Sequence, residues 1–462
     1  MPGVRANAGY SSVTPSRARR EAAAISVKPV AGASPPHVEV SSTTAPSCKD
    51  EPFARIATHG HKFTYAALFA FTLILYARPS EFYPSPVTAS IALVVGIITL
   101  ASFIPTQLAL FGTLTVPLPE VKLIGLFTLV ALLSVPLAQD PATAWQGFSG
   151  NFIRCVVMFV VMVNVVRTRA RLNGLLFLAI AAAVWLSVGA VNDYRLGRLT
   201  VEGYRVDGRG IGLFGNTIDM ALFLVTMVPI VIALLFATRS KILKIILGVC
   251  AAGLLAAIVF TYSRGAFLGL LAVLIFAALK LGRRHRFAIV AGLLLMGVAF
   301  LFLAPGNYAL RMLSILDPSL DPVGSATHRR GELLRSIYVA IRHPLFGIGM
   351  DNYREHASLR GLVTHNSYTQ VASEMGMAAL VIYTLFIVTP LRKLGHIARE
   401  AINGESNSRF YYLALGLQAS LIAYAVSSFF LSVAYRWYIY YLVGYAVSFR
   451  RIYESETGER DA

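Results

Sequence analysis

The sequence predicts an all-α, polytopic membrane protein of about twelve transmembrane helices, and three observations predict it. Hydrophobic residues make up 56% of the chain and charged residues only 14%. A soluble domain carries about 25% charged residues, so too few are present here to cover a water-facing surface. Apolar runs near the ~20 residues that cross a bilayer recur along the chain, and the mean hydropathy is +0.64. The basic residues behind the net charge of +18 sit in loops between those runs. The positive-inside bias already places them there, so no nucleic-acid partner is expected.

Residues 1–60 are rich in Ser, Ala, Pro and Arg and contain no apolar core of the about 7–15 residues a signal peptide needs. They read as a disordered cytoplasmic tail. Residues 61–304 hold nine expected spans, at 63–78, 86–104, 119–138, 150–166, 172–192, 216–237, 242–261, 265–279 and 287–304. Residues 365–450 hold three more, at 365–390, 408–430 and 434–449, and 451–462 form a second cytoplasmic tail. Four basic clusters fix the orientation: Arg167, Arg169 and Arg171; Arg239, Lys241 and Lys244; Lys280, Arg283, Arg284 and Arg286; and Arg392, Lys393 and Arg399. Counting spans puts all four on one side, with the N-terminal tail, Arg450 and Arg451, and that side is read as the cytoplasm.

Two connections on the opposite, outer face are too long and too charged to be simple turns. The first, 193–215, carries Arg195, Arg198, Arg205 and Arg209 against Asp193, Glu202 and Asp207. The second, 305–364, is the large outer loop. Within it Leu333, Leu334, Ile337, Tyr338 and Ile341 share one face of an amphipathic helix, which lies on the bilayer or caps the bundle. Arg335 and Arg342 occupy the other face. Arginine on the outer side runs against the topological bias and calls for a reason.

Several residues on that face can carry chemistry. Arg264 stands in Thr261-Tyr262-Ser263-Arg264-Gly265, between apolar runs too long together for one span, so the chain turns there. A charge near the bilayer centre costs at least ~2.5–3.5 kcal/mol, which puts Arg264 at the outer interface. There it either snorkels to lipid headgroups or binds phosphate through its planar fork. Arg209 precedes Gly210, Gly212 and Gly215, glycines that let backbone approach a ligand or simply form a flexible loop. The Gly-Lys-Ser/Thr ending of a nucleotide-binding loop is missing. His365 opens His365-Asn366-Ser367-Tyr368 at the outer end of a span, where an imidazole acts as base or hydrogen-bond acceptor at neutral pH. Asn366, Ser367 or Tyr368 caps that helix. Glu374, nine residues further and about 13 Å along the helix, needs a partner. Pro344-Leu345-Phe346-Gly347-Ile348-Gly349 reads as a shaped turn leading to His365.

The acidic residues of the outer loops, among them Asp193, Asp317, Asp321, Asp351 and Glu355, are scattered and form no carboxylate cage for a divalent metal. Cys48, Cys155 and Cys250 lie far apart and suggest neither a disulfide framework nor a zinc site. No metal and no cofactor are expected, so arginine would have to neutralise phosphate charge.

In order, these segments resemble the O-antigen ligase and polymerase family. The resemblance rests on Arg209 ahead of Gly212-Leu213-Phe214-Gly215-Asn216, on Arg264 in its Tyr-Ser-Arg-Gly turn, and on Pro344 to Gly349 followed by His365-Asn366-Ser367. It covers roughly residues 60–450 and includes the twelve-span layout. Thr217 stands where family members often have Pro. The resemblance implies a GT-C-like integral-membrane glycosyltransferase with one large periplasmic loop, in the bacterial inner membrane with its site facing the periplasm. It also implies a glycan donor on polyprenyl (undecaprenyl) pyrophosphate and, for a ligase, lipid A–core as acceptor. His365, Arg264 and Arg209 are then the expected catalytic residues. Arg330, Arg205, Asn366 and Tyr262 are expected to bind substrate. A polymerase of the same family would use the same residues with another acceptor. A lipid-linked sugar transporter should instead carry polar or broken helices near the midplane, often as repeats, and no repeat is visible. A purely structural scaffold leaves the outer arginines unexplained.

Overall fold

The computed structural model describes residues 61–208, 213–280, 287, 291–292, 312, 324–403 and 408–458. The expected tail 1–60, nearly all of the expected span 287–304 and much of 305–323 lie outside the described residues. The described chain is helical, with no strand and a single isolated bridge between Val201 and Arg205. Its principal helices are α1 (Lys62–Ala77), α2 (Pro86–Phe111), α3 (Pro119–Ser134), α4 (Pro141–Val165), α5 (Arg169–Arg195) and α6 (Thr217–Ala237). They continue as α7 (Lys241–Phe260), α8 (Arg264–Lys280), α9 (Ser325–Arg342), α10 (Ser367–Asn403), α11 (Ser408–Ser427) and α12 (Trp437–Thr457). Seven of these, α2, α4, α5, α6, α7, α10 and α11, are long and apolar enough to cross a membrane. Four more expected spans coincide with the shorter or more polar helices α1, α3, α8 and α12. The chain is a multi-pass membrane protein.

Helices α6 and α12 make the centre of the bundle. Every residue of α12 from Trp437 to Arg450 is buried, and α6 is buried along nearly its whole length. A helix apolar on all sides belongs inside other helices. Around α12 pack α4, α10 and α11, while α6 lies against α7 and α11. Helix α2 stands at the perimeter and buries only Gly96, Thr99, Phe103 and Gln107.

The end of the bundle that carries the basic clusters uses its arginines as caps. Arg167 Nε donates to the Asn164 carbonyl at 2.6 Å, Arg171 Nη1 to Val165 at 2.9 Å and Arg451 Nη1 to Val163 at 2.6 Å. These are the last carbonyls of α4, which have no partner within the helix and sit at the negative end of its dipole. Arg450 grips Glu120 of α3 with two bonds, at 2.6 and 3.1 Å, both side chains being buried.

At the other end α10 is broken. Gly376 adopts φ 87° and ψ 176°, outside helical geometry. The turn Pro344 to Gly349 fills the break with backbone bonds. Ile348 N–H donates to the Ser373 carbonyl and Gly349 N–H to Glu374, each at 2.9 Å, and Met377 N–H donates to Pro344 at 2.8 Å. A Cβ on Gly347 would overlap the backbone of Glu374, and one on Gly376 the carbonyl of Leu345. Both positions also have positive φ, so glycine is required twice over. The α3–α4 connection joins the same knot through Gln139 N–H to the Ile348 carbonyl and Asp140 N–H to Asn352 Oδ1, both at 2.9 Å.

Helix α9 forms where its periodicity predicts, and the structure fixes which face it buries. Leu334, Ile337, Tyr338 and Ile341 are exposed, while Glu332, Ser336, Val339 and Ala340 face the bundle. The apolar stripe therefore faces outward, as suits a helix lying against lipid. Its protein-facing side is polar but satisfied: Tyr353 Oη donates to Glu332 at 2.8 Å, and Ser336 Oγ donates to Thr369 Oγ1 at 2.9 Å.

Replacing Gly376 with Ala should destabilise the protein by about 2 kcal/mol or more, since it adds both φ strain and a backbone overlap. Thermal unfolding in detergent checks this. A transition within 1–2 °C of wild type, against the ~2–4 °C per kcal/mol expected for a large domain, would mean the break tolerates a side chain.

Candidate active site

The turn at Arg264 is built as its sequence predicts. Helix α7 ends at Phe260 and α8 begins at Arg264. Tyr262 takes a left-handed φ of 50° and is fully buried, with its ring against the edge of Tyr204 at 5.1 Å. Ser263 Oγ accepts Ala266 N–H at 3.3 Å and so caps α8, leaving Arg264 as its first residue, 7% exposed. The 201–206 turn docks on this end: Arg205 Nε donates to the Thr261 carbonyl at 2.8 Å and Val206 N–H to Phe260 at 3.3 Å. Arg205 also reaches Glu202 at 3.4 Å. Its guanidinium is thus partly engaged in holding the Arg264 turn.

His365 lies just before α10. Its backbone is left-handed, φ 52°, and its side chain is half-buried. Asn366 is the residue that caps α10, its Oδ1 accepting the N–H groups of Tyr368 and Thr369 at 2.9 and 3.0 Å. The buried Asn366 Nδ2 has no protein partner among the described residues. Burial, and then the charge of Arg329 on α9, hold the His365 imidazole down to about 4, so it is neutral at pH 7.

These two turns share one support. On the Arg264 side, Ser427 Oγ donates to the Gly265 carbonyl at 2.9 Å, and a Cβ on Gly265 would lie 3.1 Å from that of Phe430. On the His365 side, Ser367 Oγ donates to Leu431 at 2.7 Å and accepts Val433 N–H at 3.0 Å, while Thr364 Oγ1 bonds Ser432 Oγ at 2.8 Å. The segment from Ser427 to Val433 therefore bonds to both the Arg264 turn and the His365 turn. Tyr262, Arg205 and Asn366 belong to the same assembly.

The remaining expected residues fall elsewhere. Arg209 lies outside the described residues. Arg330 is exposed on α9, and it is its neighbour Arg329, which no sequence motif singles out, whose charge reaches His365. Glu374 finds backbone rather than arginine: Oε1 accepts Tyr353 N–H at 3.4 Å.

A family model described as O-Antigen ligase matches residues 249–384. The match runs from α7 through the Arg264 turn, α9, the Pro344–Gly349 turn and His365 to beyond the break at Gly376. Arg205 and Arg209 precede it. Members of the O-antigen ligase family are glycosyltransferase-like enzymes, ligases and polymerases. No curated protein matches the chain.

Removing the charge with Arg329→Ala should raise the pKa of His365 from about 4 toward the ordinary histidine range. The pH dependence of diethyl pyrocarbonate modification, with His365→Gln to identify its signal, reads that midpoint. An unmoved midpoint would detach Arg329 from the site.

Proposed function

We propose that the protein is an O-antigen ligase that transfers a glycan from undecaprenyl pyrophosphate to a sugar hydroxyl of lipid A–core, at the periplasmic face of the bacterial inner membrane. One observation carries this reading: a buried arginine, Arg264, and a histidine, His365, stand in turns that both bond to the single segment Ser427 to Val433. They do so at the end of the bundle away from the basic, cytoplasm-type clusters. The whole chain is read as a twelve-span, GT-C-like glycosyltransferase.

The chemistry follows from the charges. The acceptor oxygen attacks the anomeric carbon, and the bond from that carbon to the pyrophosphate oxygen breaks. Negative charge grows on the leaving pyrophosphate, where preorganised guanidinium groups in a poorly hydrated site stabilise it. Arg264 and Arg209 take this role, with Arg205 and Tyr262 shaping the donor side and Arg330 assisting from α9. Charge neutralisation by guanidinium makes the transfer metal-independent. The acceptor proton passes to the neutral His365 imidazole, and Asn366 Nδ2 donates to a substrate oxygen. A single displacement inverts the anomeric centre.

The donor also sets the pH response. Its negative charge opposes that of Arg329, so the His365 pKa should rise from about 4 when the donor binds. Because neutral imidazole is the active form, rate falls as pH drops through that pKa. The acid limb of kcat should therefore lie at higher pH than that of kcat/KM.

Purified protein reconstituted with polyprenyl-pyrophosphate glycan and lipid A–core tests the assignment. Transfer should survive EDTA and fall by about 10²-fold or more in His365→Ala and Arg264→Ala. Full activity in either variant would sink the role of the residue replaced. Lengthening of the lipid-linked glycan instead would make the protein a polymerase.

A further inference from the structure

A second site lies away from the reaction centre. Helices α1, α2 and α4, with Trp437 at the start of α12, enclose a groove of about 420 Å³. No residue of α8, α9 or α10 lines it. The deep end is apolar, formed by Phe71, Leu100 and Met158. Leu93 and Ile97 on its α2 wall are 53% and 57% exposed, on the perimeter of the bundle, so it opens sideways to the bilayer.

Two arginines mark its other end. Arg78 terminates α1 and is held by Glu81 at 2.6 Å. Arg154 is the second residue of the regular part of α4, directly after its π-helical turn Phe148–Phe152. It is level with the start of α12, because Asn151 Nδ2 donates to the Tyr435 carbonyl at 2.8 Å and Cys155 Sγ approaches the same oxygen at 3.8 Å. Arg154 makes no hydrogen bond or ion pair among the described residues. An arginine within a span is costly unless an anion or water meets it. The groove is thus amphiphilic in the same sense as a phosphate-bearing lipid, with cations at outer-leaflet depth and hydrocarbon contacts below.

We infer that this groove holds the acceptor, receiving a lipid A phosphate at Arg78 and Arg154 and an acyl chain between α1, α2 and α4. The inference rests on the ligase reading for its choice of lipid. In the donor, the pyrophosphate is bonded to the reacting anomeric carbon, so the groups that bind it must stand at the reaction centre. In lipid A–core an oligosaccharide separates the lipid phosphates from the reacting hydroxyl. A phosphate site whose walls include neither the Arg264 turn nor the His365 turn fits the acceptor and not the donor.

Lipid binding and transfer together test this. Native mass spectrometry of the detergent-solubilised full chain would compare bisphosphorylated lipid A with phosphatidylglycerol, for wild type, Arg154→Gln, Arg154→Lys and the groove-filling Ala92→Phe. Lipid A should bind in preference to phosphatidylglycerol, lose about tenfold in affinity in R154Q and A92F, and be largely retained in R154K. In the reconstituted reaction the acceptor KM should rise about tenfold in R154Q with the donor KM unchanged. Unchanged lipid A binding in R154Q, equal binding of phosphatidylglycerol, or a raised donor KM would each overturn the assignment. A protein that binds lipid A through Arg154 yet transfers nothing would remove the ligase reading and leave the groove in place.

Discussion

The backbone of α10 is broken inside a membrane protein, and the end of the molecule away from the basic clusters is arranged around satisfying that break. A helix that stops leaves its last carbonyls without partners, and in a bilayer each such group costs several kcal/mol. The carbonyls of Ser373 and Glu374 are in that position, and the N–H groups of Ile348 and Gly349 meet them. The Pro-Leu-Phe-Gly-Ile-Gly turn is thus a plug whose glycines are dictated by close backbone contact on both sides. Because the plug also bonds Gln139, and because Asn352 bonds Asp140, the 344–352 segment is tied to the α3–α4 connection and to α10 together.

Arginine is built into both ends of the bundle. On the basic side, guanidinium groups of Arg167, Arg171 and Arg451 are spent on the carbonyls of a single helix terminus, and Arg450 on a buried carboxylate. A residue placed there by the topological bias is thereby made part of the structure. At the opposite end Arg205 likewise donates to a carbonyl, that of Thr261, while Arg264 heads a capped helix and Arg154 lines a groove. Fixed cations in a poorly hydrated setting act strongly on a phosphate that arrives there, since little reorganisation remains to be done.

Much of this is legible in the sequence, and the rest is hidden there for physical reasons. Eleven expected spans coincide with helices because span length and apolarity are properties of single segments. The Arg264 turn is legible for the same reason: two apolar runs too long for one crossing must turn at their only charge. The stripe on α9 is visible as a period, but a period does not say what covers it. Leu334 and Ile341 face outward, while Glu332 and Ser336 are buried and matched by Tyr353 and Thr369. The plug reads as a turn leading to His365, because its counterpart is one glycine, Gly376, in an apolar run where glycine is unremarkable. Arg154 is inconspicuous inside the expected span 150–166. Only the neighbouring α1, α2 and α12 turn it from a charge within a helix into the head of a groove.

The site therefore owes its geometry to the bundle core more than to the loops that carry its residues. Arg264 and His365 come from different parts of the chain and are linked through the short α11–α12 connection. That connection is anchored below by α12, buried on all sides, whose Tyr440 Oη donates back to the Ala434 carbonyl at 3.0 Å. Gln370 of α10 accepts Ala434 N–H at 3.4 Å, and Tyr438 Oη donates to the Leu213 carbonyl in the 213–216 turn. The same few residues thus tie together the Arg264 turn, the His365 turn and the 213–216 turn. On the ligase reading proposed above, loops placed on such a spine could vary with the glycan while the turns of Arg264 and His365 stay tied to one segment, a division that suits holding one anomeric carbon in register.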